Sequence, residues 1–176
     1  EEVYAGRVLL LPKGFNSEGF QRVIENDSLW RGYLNTIFYT VLGTCINLTL
    51  TMTGAFVLSR RTFALRTPLN WMVLFTMFFG GGMIPTYLLV KDLKLLNTVW
   101  SLVLPGAIST WNLIITRTFL ATSIPNELQE AAYIDGCNNI RFFLRIVLPN
   151  ATTIIAVIGL FYAVDHWLSY WNAMLY

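Results

Sequence analysis

Four long stretches of the chain carry no formal charge: positions 32–59, 67–90, 95–116 and 146–164. Short clusters of charged residues separate them, and none shows the apolar–polar alternation of a strand. A helix crossing about 30 Å of hydrocarbon needs about 20 residues, with every backbone polar group bonded inside the segment. The pattern therefore predicts an all-α, polytopic transmembrane bundle with spans at about 32–58, 69–90, 97–119 and 150–171. A segment over 1–31 precedes them, and a long polar stretch over 121–149 lies between the third and fourth. Burying four such helices in a soluble protein of this length would leave almost no polar surface to meet water.

Composition agrees with that pattern. Of 176 residues, 55% are apolar, 15% aromatic and 12% charged, and the mean hydropathy is +0.55. A disordered chain, a nucleic-acid binder with a strong basic field and a disulfide-stapled secreted module are excluded. The two cysteines, Cys45 in an apolar run and Cys137 in a polar loop, are expected to be unpaired thiols. The chain opens on Glu1 and Glu2 without an initiator methionine or signal-peptide pattern, and Tyr176 follows an apolar stretch directly. It is therefore expected to be an internal fragment, with a span missing upstream and at least one downstream.

Charge also suggests an orientation. The loop at 59–68 carries Arg60, Arg61 and Arg66 with no acid, whereas the loop at 90–97 carries Lys91 and Lys94 with Asp92. Positive loops face the cytoplasm. That puts the arginine loop and 121–149 inside, with 1–31, the Lys91 loop and Tyr176 outside. Arg141 and Arg145 then fall on the inner side, and Arg117 is expected to snorkel to the inner surface.

Gly80, Gly81, Gly82 and Pro85 interrupt the second span, and Pro105 and Gly106 the third. Broken helices are common in transporters, and glycine and proline are also generally commoner in membrane helices. Asn35, Asn47 and Asn112, with Thr40, Thr44, Thr49, Thr51 and Thr53, can bond across helices or face a wet path. Bonding across helices is the expected role for most.

The inner stretch reads as two short helices joined by a turn. Pro125 is tolerated in a first turn, Asn126 is expected to cap the helix with Gln129 three residues on, and Gly136 suits the left-handed residue that ends it. Leu128, Ala131, Ala132 and Ile134 supply apolar surface, and Glu127, Glu130 and Asp135 supply negative charge. A second helix carries Ile140, Phe142, Phe143, Leu144 and Ile146, with Pro149 marking entry to the fourth span. So much apolar surface in a cytoplasmic loop calls for a partner.

Glu130-Ala131-Ala132, Gly136, and then Ile146-x-Leu148-Pro149 resemble the EAA loop of ABC importer permeases. The runs Pro85 to Leu89, Leu96 to Gly106 and Phe161 to Asn172 resemble the carbohydrate-uptake, maltose-type branch. The resemblance implies the type I permease core, with the loop forming a coupling helix seated in a cleft of a cytoplasmic ATPase. It places Glu130 against a basic residue there, lets Ala131 and Ala132 approach closely, gives Gly136 the turn, and has Leu128, Ile134, Ile146, Leu148 and Pro149 complete the element. It also implies a companion permease, two ATPase subunits and an extracytoplasmic solute-binding protein delivering a sugar. No cofactor, metal or nucleic acid is implied, and the chain has no Gly-rich phosphate loop of its own.

Sugar sites combine aromatic faces with groups that bond hydroxyls. Trp111, Trp167, Tyr170, Trp171 and Asn172 are of that type, as is Asn47. Trp and Tyr also form interfacial belts, so either role stands. Asp165 and His166 interrupt the fourth span near its outer end. They suit a gate contact, docking of the binding protein, or a helix already in water. An importer of another solute, such as an amino acid or phosphate, would share the loop motif. An ion-coupled carrier would place charges at the midplane, where the first three spans have none. An intramembrane enzyme would need a nucleophile with its base or a metal cluster, and the chain holds one histidine.

Overall fold

A computed structural model describes residues 18–176, which are helical with no strand among them. Positions 1–17 of the expected outer segment lie outside the described residues. The chain divides into two compact units, one ending at Thr36 and the other running from Ile37 to Tyr176.

The first unit contains α1 (Glu18–Ile24) and the opening turns of α2 (Asp27–Ser59). Asn26 starts α2: its Oδ1 accepts from the Ser28 backbone N–H at 3.1 Å and from the Ser28 hydroxyl at 2.6 Å. This occupies donors that a helix start leaves free. Trp30 Nε1 donates to the Ile24 carbonyl at 2.8 Å, satisfying an acceptor at the end of α1.

The second unit holds the rest of α2, then α3 (Arg66–Phe78), α4 (Met83–Asp92), α5 (Val99–Val103), α6 (Thr110–Ser123) and α7 (Asn126–Ile134). After them come α8 (Asn139–Phe142), a π-helical turn (Phe143–Val147), α9 (Leu148–Asn150), α10 (Thr152–Trp167) and α11 (Tyr170–Leu175). Of the described helices, α2 alone is long and apolar enough to cross a bilayer unbroken, at 33 residues.

The second expected span is instead a pair, α3 and α4, bent by 114° at the break between Phe78 and Met83. The three glycines occupy that break, and Gly82 has a φ of 82°, which side chains with a Cβ rarely adopt. Pro85 falls in the first turn of α4, where its missing N–H costs no helical bond. The third span is broken at 104–109, around Pro105 and Gly106, so α6 carries its helical part over 14 residues. Ahead of the fourth, the rod Asn139–Asn150 meets α10 at 81°. Pro149 therefore lies inside this rod, and α10 begins only after Ala151. Having no N–H to give the Arg145 carbonyl, Pro149 lies two residues past the end of a turn that has widened to the π register.

The core of this unit lies where α2, α6, α10 and the 121–149 stretch meet. Phe56, Leu120, Phe142, Val147, Ile158 and Tyr162 are buried there with Ala132. Two glycines bring the backbones close: a Cβ on Gly54 would touch Leu113 at 3.3 Å, and one on Gly159 would touch Leu48 at 3.3 Å. α3, by contrast, buries no residue, and Trp71, Phe75, Phe78 and Phe79 stay exposed along it.

Candidate functional site: a docking loop and a buried polar ladder

In the 121–149 stretch, α7 stands with one face inward and the other free. Gln129 and Ala132 are buried, whereas Glu127, Leu128, Glu130, Ala131 and Ile134 are exposed, Ile134 by 87%. Gly136 ends the segment with a φ of 77°, the left-handed conformation that glycine adopts without a Cβ penalty. On the second helix, Phe142 and Val147 turn inward, Ile146 and Leu148 are half-buried, and Ile140, Leu144 and Pro149 are exposed. The result is an acidic and apolar surface on a well-seated base.

The expected cap at Asn126 is not formed. Pro125 holds the cap position, with φ −60° and ψ 151°, and Asn126 is already helical. Gln129 is occupied elsewhere because it faces a buried charge. Arg60, which the sequence pattern treats as one of three loop arginines, is only 4% exposed. Its Nη1 donates to Gln129 Oε1 at 3.3 Å, its Nη2 to the Leu120 carbonyl at 3.3 Å, and its Nε to Ser59 Oγ at 3.1 Å. The guanidinium also lies over the Phe56 ring, 5.3 Å from its centroid. Burial pushes its pKa below the ordinary arginine value, an effect partly opposed by Tyr133.

From Gln129 the chain of bonds continues. Gln129 Nε2 donates to the Tyr133 hydroxyl at 2.6 Å, and that hydroxyl donates in turn to Asn139 Oδ1. Phe56 completes the contact by packing against Phe142 and Phe143, at centroid distances of 6.2 and 5.1 Å. Arg117, expected to reach for the inner surface, has its Nε on the Leu58 carbonyl at 3.3 Å and so ties α6 to the end of α2. Arg61 remains exposed.

A second polar cluster joins the upper part of α2 to α10 and to the break before α6. Asn47 is 1% exposed; its Nδ2 contacts the Gly106 carbonyl at 3.3 Å and His166 Nε2 at 3.1 Å. Because the Gly106 carbonyl only accepts, the amide nitrogen must face it, which makes Nε2 the acceptor and leaves the ring proton on Nδ1. Gly43 makes room for the ring, since a Cβ there would overlap the imidazole. One turn on from Asn47, Thr51 Oγ1 and the Tyr162 hydroxyl are 2.7 Å apart, and Tyr162 also accepts from the Ser109 N–H at 3.0 Å. Three buried oxygens have no partner in this region: Thr40 Oγ1, Thr44 Oγ1 and Asn47 Oδ1.

Of the candidate path residues, the structure thus joins Asn47 to His166 and separates the rest. Asp165, next to His166 in sequence, is exposed, and Trp111, Trp167 and Trp171 are each about half exposed on their own surfaces. Of the polar residues expected to bond across helices, Asn47 and Thr51 do. Thr49 and Thr53 instead return their hydroxyls to the Cys45 and Thr49 carbonyls of their own helix, at 2.8 and 2.7 Å. The largest cavity described, about 570 Å³, is lined by Tyr39, Asn97, Trp100, Ala173 and Tyr176. Trp100 lies in one of the runs that carry the family resemblance but is not singled out there as a site residue, and Tyr176 carries no signal in sequence beyond being aromatic. Cys45 and Cys137 are free thiols, and the described residues hold no cluster suited to a metal ion.

Residues 28–168 match the family described as binding-protein-dependent transport system inner membrane component. Among curated proteins, the polygalacturonan/rhamnogalacturonan transport system permease protein YtcP of Bacillus subtilis is 44% identical over the whole chain, which spans 61% of that protein. Protein LplC of the same organism is 44% identical over 95% of the chain and 56% of its own length. The chain thus spans about three-fifths of the curated relatives it matches. A crystallised bacterial ABC transporter involved in import of the acidic polysaccharide alginate superposes with a TM-score of 0.86 at 34% identity, over 94% of this chain and 59% of that one.

Proposed function

The chain belongs to the family of binding-protein-dependent transport system inner membrane components, and from that premise we propose that it is a saccharide permease subunit driven through the 121–149 loop. It is a membrane transport component and not an enzyme. With a companion permease it lines half of a translocation path, two cytoplasmic ATPases drive the path, and an extracytoplasmic binding protein delivers a sugar or oligosaccharide. The loop and Arg61 face the cytoplasm, and the Lys91 turn and Tyr176 face the other side. The saccharide assignment is supported by the relatives, whose names specify polygalacturonan, rhamnogalacturonan and alginate.

The observation that carries the coupling role is the split of α7 into two faces. Ala132 is buried against the core, while Glu130, Leu128 and Ile134 face outward on a helix of nine residues. Apolar side chains that exposed, beside an acid, form a surface for a partner with an apolar cleft and a basic group. Glu130 pairs with that basic group, Ala131 permits close approach, and Ile146, Leu148 and Pro149 continue the surface. ATP-driven closure of the ATPases then displaces a rigid loop, and the helices attached to it switch access. Within the membrane, Asn47 and His166 belong to the side of α2 and α10 that changes with access. Trp111, Asp165, Trp167 and Trp171 meet lipid, solvent or the companion subunit.

Glu130→Lys in the assembled full-length transporter tests the coupling role. It is expected to lower uptake into vesicles by about thirty-fold, since losing an interfacial charge pair costs about 2 kcal/mol or more. Normal uptake with normal ATPase association would sink it.

A further inference from the structure

The docking loop has covalent neighbours in α6 and α10, but none in α2. Besides the packing of Phe56, a run of polar contacts joins it to the end of α2, beginning with bonds from Arg60 to residues 60 and 69 positions away. Leu120 O accepts from Arg60, Arg60 donates to Gln129, Gln129 donates to Tyr133, and Tyr133 donates to Asn139. We propose that this run, Arg60–Gln129–Tyr133–Asn139, is a strut that passes displacement of the docking loop to α2, with Gln129 and Tyr133 as its positioning residues. The proposal rests on the coupling role given to the loop above.

Three features set the run apart from ordinary packing. First, the charge at its start is buried with no carboxylate paired to it among the described residues, so the guanidinium is held in place by neutral acceptors on three different elements: Ser59 at the end of α2, Leu120 in α6 and Gln129 in α7. A buried charge cannot slide away from its acceptors without losing them to nothing, which makes the joint stiff. Second, the run crosses both loop helices, since Asn139 opens α8 while Gln129 and Tyr133 lie on α7. The two helices therefore move against α2 as one piece. Third, the aromatic contacts of Phe56 with Phe142 and Phe143 lie beside the run and share its direction, from the end of α2 into the second loop helix. The same α2 carries Asn47 and Thr51 to α10 and to the break before α6. A push on Gln129 thus reaches the polar ladder through one unbroken helix.

The test measures solute taken up per ATP hydrolysed, with the full-length chain assembled with its partners in proteoliposomes. Gln129→Leu keeps the side chain's bulk but removes its amide, and Tyr133→Phe keeps the ring but removes the hydroxyl. Both are expected to retain ATPase association and to lower the uptake-to-ATP ratio by about five-fold or more, the range of an ordinary coupling energy. The double variant is expected to be no worse than Gln129→Leu alone, because both break one series of contacts. Since Tyr133 is partly exposed, Tyr133→Phe keeps the test open should Gln129→Leu assemble poorly. A wild-type ratio in Tyr133→Phe, additive losses in the double variant, or loss of ATPase association in Tyr133→Phe each overturn the strut. Glu130→Lys is run beside them. If it uncouples while Tyr133→Phe behaves as wild type, the strut alone fails, and if it too is normal, the coupling role of the loop fails and the strut with it.

Discussion

α2 carries one buried polar cluster where it ends and another around its middle, and the two are built differently. At Arg60 all three donor nitrogens named above have acceptors, the aromatic ring of Phe56 lies under the charge, and Gln129 uses both ends of its amide. About 20 Å along the same helix, at 1.5 Å per residue, Asn47 uses its nitrogen twice and its oxygen not at all. Thr40 and Thr44 on the same side likewise bury hydroxyls without partners. A cluster in which each of these side chains is bonded has few arrangements and resists leaving them, whereas one with a spare amide oxygen and spare hydroxyls can trade partners at little cost. The first kind suits a joint that transmits force. The second suits a surface whose contacts change as access switches, or one that takes up water or solute hydroxyls in another state.

The largest stability effect should therefore come from opening the closed cluster. Gln129→Leu leaves Arg60 buried with an acceptor missing, at an expected cost of about 2–3 kcal/mol. Arg60→Met removes the charge together with its demand for acceptors and is expected to cost less, although it changes the larger residue. The measurement is the SDS-unfolding midpoint of the full-length protein in detergent micelles. If Arg60→Met proved the more damaging of the two, the account of Arg60 as a charge held by neutral acceptors would fail.

Next in size is Gly43→Ala, where the added methyl overlaps the His166 ring. Displacing that ring from Asn47 is expected to cost about 1–3 kcal/mol, the usual range for overpacking. Combining it with His166→Ala should recover much of the loss, since the overlap is then relieved. Equal instability of the single and double variants would place the damage in the backbone of α2 instead of at the histidine.

These two sites also mark how far the sequence could be read. The helical bundle, the breaks at Gly80–Gly82 and Pro105–Gly106, and the left-handed Gly136 were legible because each depends on a local rule of composition or backbone geometry. The Arg60–Gln129 bond was not, because its partners lie 69 residues apart and each looks like an ordinary polar loop residue. Nothing in the run Arg60-Arg61 marks which arginine turns inward. The same holds for Asp165 and His166, adjacent in sequence but about 100° apart around a helix of 3.6 residues per turn, so that one is exposed and the other buried. The expected cap at Asn126 followed a local capping rule, but the helix starts one residue earlier with Pro125 at the cap position, and the Gln129 amide is bonded to Arg60. Aromatic residues gave the weakest guidance, since a tryptophan at a membrane surface and one in a sugar site look alike in a chain read residue by residue.

The finest test of the contrast uses two threonines on α2. Thr51 Oγ1 is bonded to Tyr162 at 2.7 Å, whereas Thr44 Oγ1 is buried with no partner. Replacing each by valine exchanges a hydroxyl for a methyl of similar size. Thr51→Val should destabilise by about 0.6 kcal/mol, the average for a side-chain hydrogen bond between membrane helices. Thr44→Val should be neutral or slightly stabilising, because the orphaned hydroxyl no longer has to be kept from a partner. In uptake the order should reverse if the unpartnered groups serve a second state: Thr44→Val then lowers transport while leaving the unfolding midpoint unchanged, and Thr51→Val does the opposite. A Thr44→Val variant that is normal in both measurements would reduce the open cluster to a packing defect, leaving the Arg60 joint as the part of α2 tied to function.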